Sequence, residues 1–184
     1  MEDTKGELVK EAGHLGGGMV KIEREHEEPF MLNVVSLRQI HLDGISFHRC
    51  FLDDMDFGGS VLTDIDFRSA KLNHAKFASA LFERCRLIMA ESRAACYEAC
   101  VFKDTLLFYS DFSGSSFRGA DLSGGIIKEA IFRNCDLRGA ELSCEGLETC
   151  SFEGAIYDDW TIWHYSFHVA QSGAQKEESG IRFY

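Results

Sequence analysis

The chain has a single proline in 184 residues and only 19 basic side chains against 30 acidic ones. The shortage of base leaves a formal net charge of −11 at pH 7. That disfavours phosphate-backbone recognition, which needs a basic stripe, so nucleic-acid binding is not expected. No apolar run is long enough to span a bilayer, and the N-terminus lacks a basic-then-apolar signal pattern. No membrane association is therefore expected, and the expected location is cytoplasmic. The chain also lacks a Gly-rich phosphate loop, a nucleophile elbow and a metal-ligand constellation. His41, His48 and His74 are scattered, and His164 and His168 stand four apart with no evident third ligand. No catalytic, cofactor-binding or metal residue is assigned, and the expectation is a protein that is not an enzyme and carries no cofactor.

What the chain does have is a large apolar residue at every fifth position from Leu37 to Ile162. Of these 26 positions 25 are Leu, Phe, Tyr or Ile, although those types supply only 47 of the 184 residues. Ser92 is the exception. A helix repeats its apolar face at 3.6 residues and a strand at 2, so a strict five fits neither. A short fixed period held this long marks a repeat array whose units bury their apolar sides by stacking. Two residues upstream runs a second register of small side chains, and from Ala70 to Ala140 all fifteen members are Ala, Cys, Ser, Thr or Gly. One large and one small inward side chain per five residues suit a narrow tube with a crowded axis.

Units such as Ala120-Asp121-Leu122-Ser123-Gly124, Cys135-Asp136-Leu137-Arg138-Gly139 and Ala140-Glu141-Leu142-Ser143-Cys144 resemble the pentapeptide repeat family. The resemblance covers roughly residues 30–164. It implies an all-β fold, a right-handed quadrilateral β-helix with four pentapeptides to a coil. Twenty-six units would give about six and a half coils, and at a strand spacing of ~4.8 Å a shaft about 30 Å long.

On this reading residues 1–29, with eight acids and four bases, form an acidic N-terminal arm, loosely helical or flexible, that ends at Pro29. The β-helix follows over 30–164, with a C-terminal cap and tail over 165–184. Bulky small-register members (Val35, Ile40, Ile45, Met55) suggest a wider first coil that helps close the shaft, whose end would otherwise expose unpaired strand edges. Trp160, Trp163 and Phe167 are expected to cover the last coil, with a short helix near 158–169, and 171–180 to be mobile. Cys50, Cys85, Cys100, Cys135 and Cys150 fall in the small inward register as small hydrophobes, whereas Cys96 and Cys144 fall outward or at corners. An odd number of thiols fits a reducing compartment. Ser92 should leave a small void or admit a water. Glu145 falls in the inward register over Gly125, a costly place for a carboxylate.

Sorting outward positions modulo twenty gives two candidate surfaces. Val61, Leu81, Ile88, Met89, Val101, Leu106, Phe108, Tyr109 and Ile126 form an apolar area of the kind that a soluble monomer does not normally display. It points to a protein-binding scaffold whose partner is another protein or a second copy. The acids Asp53, Asp54, Asp56, Asp64, Asp66, Asp121, Asp136, Glu141 and Glu153 compose the alternative surface. Some members of the resembled family imitate B-form DNA and protect DNA gyrase or topoisomerase from quinolones or toxins; the acidic balance here permits that reading. A bacterial effector using the shaft as a platform ranks third.

Overall fold

The computed structural model describes residues 18–177. The acidic arm before Gly18 and the tail after Glu177 lie outside the described residues. Among the described residues twelve short strands occur: β1 Val20–Arg24, β2 Glu27–Leu32, β3 His41–Asp43, β4 Cys50–Phe51, β5 Val61–Thr63, β6 Leu81–Glu83, β7 Val101–Leu106, β8 Asp121–Ile126, β9 Glu141–Leu142, β10 Ile156–Tyr157, β11 Ile162–Trp163 and β12 Gln175–Lys176. One parallel sheet runs in the order β11-β9-β8-β7-β6-β5-β3. Its register joins Val61 to Leu81 and Leu81 to Val101, a step of twenty residues. Isolated parallel bridges make the same step elsewhere, as Ser46↔Asp66, Phe51↔Lys71 and Asp56↔Lys76. Four columns five residues apart, each advancing by twenty, are the four faces of a stacked β-helix. We number them by their central residues: face 1 carries Phe77, face 2 Phe82, face 3 Leu87 and face 4 Ser92.

The core is the five-residue register made solid. Phe57 stacks on Phe77 at 4.9 Å between ring centroids, Phe77 on Tyr97 at 5.1 Å and Tyr97 on Phe117 at 4.9 Å, with interplanar angles of 13° or less. Near-parallel stacking repeats at Phe82–Phe102 and at Phe132–Phe152. All of these side chains are buried. Most corners are taken in the left-handed region. From Gln39 to Gly119 each fifth residue has a positive φ, at Gly but also at Arg49, Asp64, Met89 and Tyr109. Such a backbone disfavours side chains with a Cβ, so it persists here because the stacked coils fix it. The coil-to-coil backbone bonds include Phe77 N–H to the Cys96 carbonyl at 2.7 Å and Lys76 N–H to the Met55 carbonyl at 2.9 Å.

The small register does more than make room. Its hydroxyls and thiols donate to the carbonyl of the central residue 23 positions earlier: Ser60 to Leu37 at 2.6 Å, Cys100 to Phe77 at 2.9 Å and Ser115 to Ser92 at 2.7 Å. Periodicity reads these side chains as small; it does not show that they also satisfy buried acceptors.

The ends differ from expectation. Residues 20–32 are an antiparallel hairpin, β1 with β2, and β1 also pairs antiparallel with β4. The part of the expected acidic arm that is described is therefore extended, not helical, and Pro29 lies within β2. The hairpin lays its own strand along β4 and so covers part of the edge that the first coils would expose. Ile22 is fully buried in the core, which anchors the hairpin.

At the other end, Trp163 and Phe167 close the shaft. Trp163 meets Phe152 edge-on at 5.3 Å and Phe167 meets it at 5.6 Å. Trp160 does not cap; it is 72% exposed, because the chain turns at 158–161, where Asp158 accepts from the Gly139 and Trp160 N–H groups. The helix expected near 158–169 is replaced by β11 and a 3-10 turn at Val169–Gln171. β12 lies inside the segment expected to be mobile, yet it pairs parallel with β10.

Candidate interaction surface

Two irregular positions bear on the surface. Ser92 leaves no void: its Oγ lies 2.7 Å from the Tyr97 hydroxyl and both residues are fully buried. The phenol one unit downstream fills the volume that a Leu or Phe at position 92 would occupy, and each hydroxyl satisfies the other.

The second irregularity is a one-residue slip. Ile126 bridges to Glu145, nineteen residues on, and Ile127 N–H donates to the Glu145 carbonyl at 3.0 Å. Cys144 thereby turns inward, 4% exposed, and Glu145 turns out. Both reverse the strict count, which placed Cys144 outward and Glu145 inside. Gly146, at φ 93°, and a 3-10 turn at Leu147–Thr149 absorb the extra residue, so Leu147 is buried again. A Cβ on Gly146 would stand 3.0 Å from the Lys128 backbone nitrogen, which is why glycine sits there. By the end of the run the phase has moved once more: Trp163 lies beside Leu142 and Ile162 is 53% exposed.

The structure divides the predicted apolar area into two. Val61, Leu81 and Val101 form a column on face 2. Next to them in the chain runs a charged strip in which Arg84 binds Asp64 at 2.9 Å and Lys103 binds Glu83 at 2.8 Å. Beyond that strip, on face 3, Leu106 pairs with Ile126. The coils that carry Ile88 and Phe108 are adjacent, since Met89 N–H donates to the Phe108 carbonyl at 2.8 Å. Met89 and Tyr109 project from the corner beside them, 60% and 55% exposed, over a shallow groove that also touches Glu91 and Asp111. Six of the nine predicted residues therefore lie together on face 3 and its corner over three successive coils, and three make a separate column.

The predicted acidic surface does not come together. Asp56 and Asp136 lie on face 1, Asp121 and Glu141 on face 2, Asp66 on face 3, and Asp53 and Glu153 on face 4, while Asp54 and Asp64 take corners. Several are neutralised locally: Asp56 by Arg38 at 3.0 Å, Asp66 by Arg68 at 2.7 Å, and Asp136 by Arg138 at 2.5 Å and Arg118 at 3.7 Å. Asp53 accepts from the Asn73 side chain and backbone, both at 2.8 Å. Burial works against ionisation of Asp66, but hydrogen bonds from Arg68 and the charge of Arg86 outweigh it and hold the carboxyl below the ordinary range. Asp136 behaves in the same way through Arg138 and Arg118.

Among the described residues, no group of three or more His, Cys, Asp or Glu could hold a metal ion, and no helix is long and apolar enough to cross a membrane. Burial pushes the inward thiols up, Cys85, Cys100, Cys135 and Cys144 each to about 12.

A family model for pentapeptide repeats matches residues 52–87, 93–124 and 115–154, in eight copies. The chain belongs to the pentapeptide repeat family. Solved pentapeptide repeat structures are among those it resembles. Alr5209 from Nostoc PCC 7120 is 21% identical, over 61% of this chain and 84% of that one, with a TM-score of 0.37. QnrB1, a plasmid-mediated fluoroquinolone resistance protein, is 15% identical over 74% of this chain and 84% of that one, with a TM-score of 0.32. HetL, involved in heterocyst differentiation regulation in Nostoc sp. strain PCC 7120, is 24% identical over 68% of this chain and 71% of that one, at 0.27. No curated protein matches the chain. In this pentapeptide repeat protein exposed Met89 and Tyr109 stand on the corner of face 3, above the shallow groove.

Proposed function

We propose that the protein is a non-catalytic scaffold that binds another protein through the apolar part of face 3. The observation that carries this reading is the contrast along the shaft. On the strip that borders face 3, outward charges are paired coil to coil, as at Arg84–Asp64 and Lys103–Glu83. On face 3 itself Ile88 and Phe108 take the positions equivalent to Glu83 and Lys103, and exposed Met89 the one equivalent to Arg84, with Leu106, Ile126 and exposed Tyr109 alongside. Cross-strand contact accounts for some apolar residues at such positions, but an apolar face spanning three coils on a charged rod marks an interaction site. The seven free thiols support a reducing, cytoplasmic setting. Immobilised wild-type protein and a Leu106→Asp/Phe108→Asp variant, each exposed to host lysate, test the reading. Proteins retained by the wild type should be lost from the variant while both keep the same circular dichroism. Identical retained sets would sink it.

A gyrase-directed DNA mimic ranks second. The net charge supports it, whereas the distribution of the acids over four faces, many of them bound to arginine, weakens it. Inhibition of gyrase supercoiling, or relief of quinolone-poisoned gyrase, by micromolar protein would promote it; no effect would remove it.

A further inference from the structure

The geometry points to a second copy of this chain as the occupant of face 3, packed face to face with its long axis reversed; this rests on the reading of face 3 as a protein-binding surface. Face 3 is electrically lopsided. Towards its N-terminal end lie Arg68 and Arg86, which share the buried Asp66 at 2.7 and 3.7 Å and leave one positive charge over. Arg49, one coil further out, is set against Glu25 at 4.0 Å. The middle coil, Leu106 to Tyr109, is uncharged. Towards the C-terminal end stand exposed Glu129, Glu145 and Glu148 with one cation, Lys128. Glu145 is on this face only because of the one-residue slip, which turns outward a carboxylate that the strict repeat would bury.

A two-fold axis through the middle coil gives an isologous contact. Phe108 meets its own equivalent near the axis, and the positive end of each copy faces the acidic end of the other, twice. Parallel packing sets like charge against like, which costs affinity and disfavours that arrangement. Heterologous partners need no such internal complementarity.

Light scattering of the purified chain across a concentration series tests this with two charge-reversed variants. Arg86→Glu makes the first end negative, and Glu145→Lys/Glu148→Lys makes the second end positive. Wild type should reach twice the single-chain mass, and each variant alone should dissociate with at least a tenfold weaker constant. An equimolar mixture of the two variants should recover the doubled mass, since both end contacts become attractive again. The recovery also shows that neither variant is misfolded. Dimerisation that is indifferent to the reversals, or variants that stay apart when mixed, would overturn the reversed packing. A wild type that keeps the single-chain mass throughout would overturn self-pairing and leave face 3 to a different protein, the case that lysate capture decides separately.

Discussion

The hydroxyls of Ser92 and Tyr97 face each other at 2.7 Å inside the shaft, where the other central residues of the regular coils are Leu, Phe or Ile. Together they fill two successive units with one long and one short side chain. Burial, offset only in part by the Ser92 bond, pushes the Tyr97 hydroxyl well above the usual phenol range, so it is a neutral donor or acceptor at any working pH.

Removing one partner should therefore hurt more than removing both. Tyr97→Phe leaves the Ser92 hydroxyl short of a partner and should cost ~1–2 kcal/mol in urea unfolding. Ser92→Leu alone should cost more, because the leucine collides with the phenol oxygen. The double variant Ser92→Leu/Tyr97→Phe restores the common pattern and should be at least as stable as either single. A double variant less stable than both would show that the pair does not share one volume.

The ring columns set the stability of the shaft. Phe117 stacks on Tyr97 at 4.9 Å and meets Phe112 and Phe132 edge-on at 5.4 Å. Phe117→Ala should cost ~3–5 kcal/mol, the range for a large ring removed from a close-packed core. Phe51→Ala, at a half-exposed position on face 4, should cost far less. Chemical denaturation of the two variants gives the comparison.

Thiol chemistry should separate one cysteine from six. Cys50, Cys85, Cys100, Cys135, Cys144 and Cys150 are raised by burial, Cys50 and Cys150 to about 11 and the others to about 12. The thiolate is the reactive form, so these should modify slowly in the native protein. Cys96 takes an outward position on face 1 and should react first. Mass spectrometry after brief alkylation at pH 8 should find one label, and all seven after denaturation. Rapid labelling of Cys100 or Cys135 would contradict a closed shaft.

Acid should loosen the coils through their paired aspartates. Asp66, Asp111 and Asp136 are held below the ordinary carboxylate range by arginine and hydrogen bonds, despite burial. A folded-state pKa below the unfolded value stabilises above that unfolded value, about 3.9. The contribution fades as pH falls through it towards the folded value. The urea midpoint should hold from pH 7 to 5 and then fall below about pH 4. Asp66→Asn should start lower at pH 7 and fall less steeply. Parallel pH profiles for the two proteins would exclude a role for Asp66.

The shaft was legible because its register is local and chemical: a five-residue count placed Phe77, Tyr97 and Phe117 in one column without any long-range information. The ends were not legible in the same way. The hairpin at 20–32 joins the first coils through antiparallel pairing, which leaves no five-residue signature. The slip at Glu145 was detectable only as an acid in a small-residue position; Gly146 resolves it by accepting a left-handed backbone, and a strict count has no means to reverse Cys144 and Glu145. Trp160 was read as a cap from composition, but the Asp158 turn directs it to solvent. The two candidate surfaces show the same limit. Counting modulo twenty found the apolar positions of face 3, yet it could not show that Asp64, Arg84, Glu83 and Lys103 bind one another and wall off the column on face 2.

The uninterrupted left-handed corners from Gln39 to Gly119 make the rod modular in quarter turns. Excising twenty residues between two corners, such as 80–99, shortens the rod by one storey and leaves everything above aligned with everything below. Excising five rotates the entire upper portion by a right angle, so Leu106 and Phe108 would no longer share a side with Arg86. Length can drift in this architecture without loss of fold, but only steps of one full storey preserve what the outside presents.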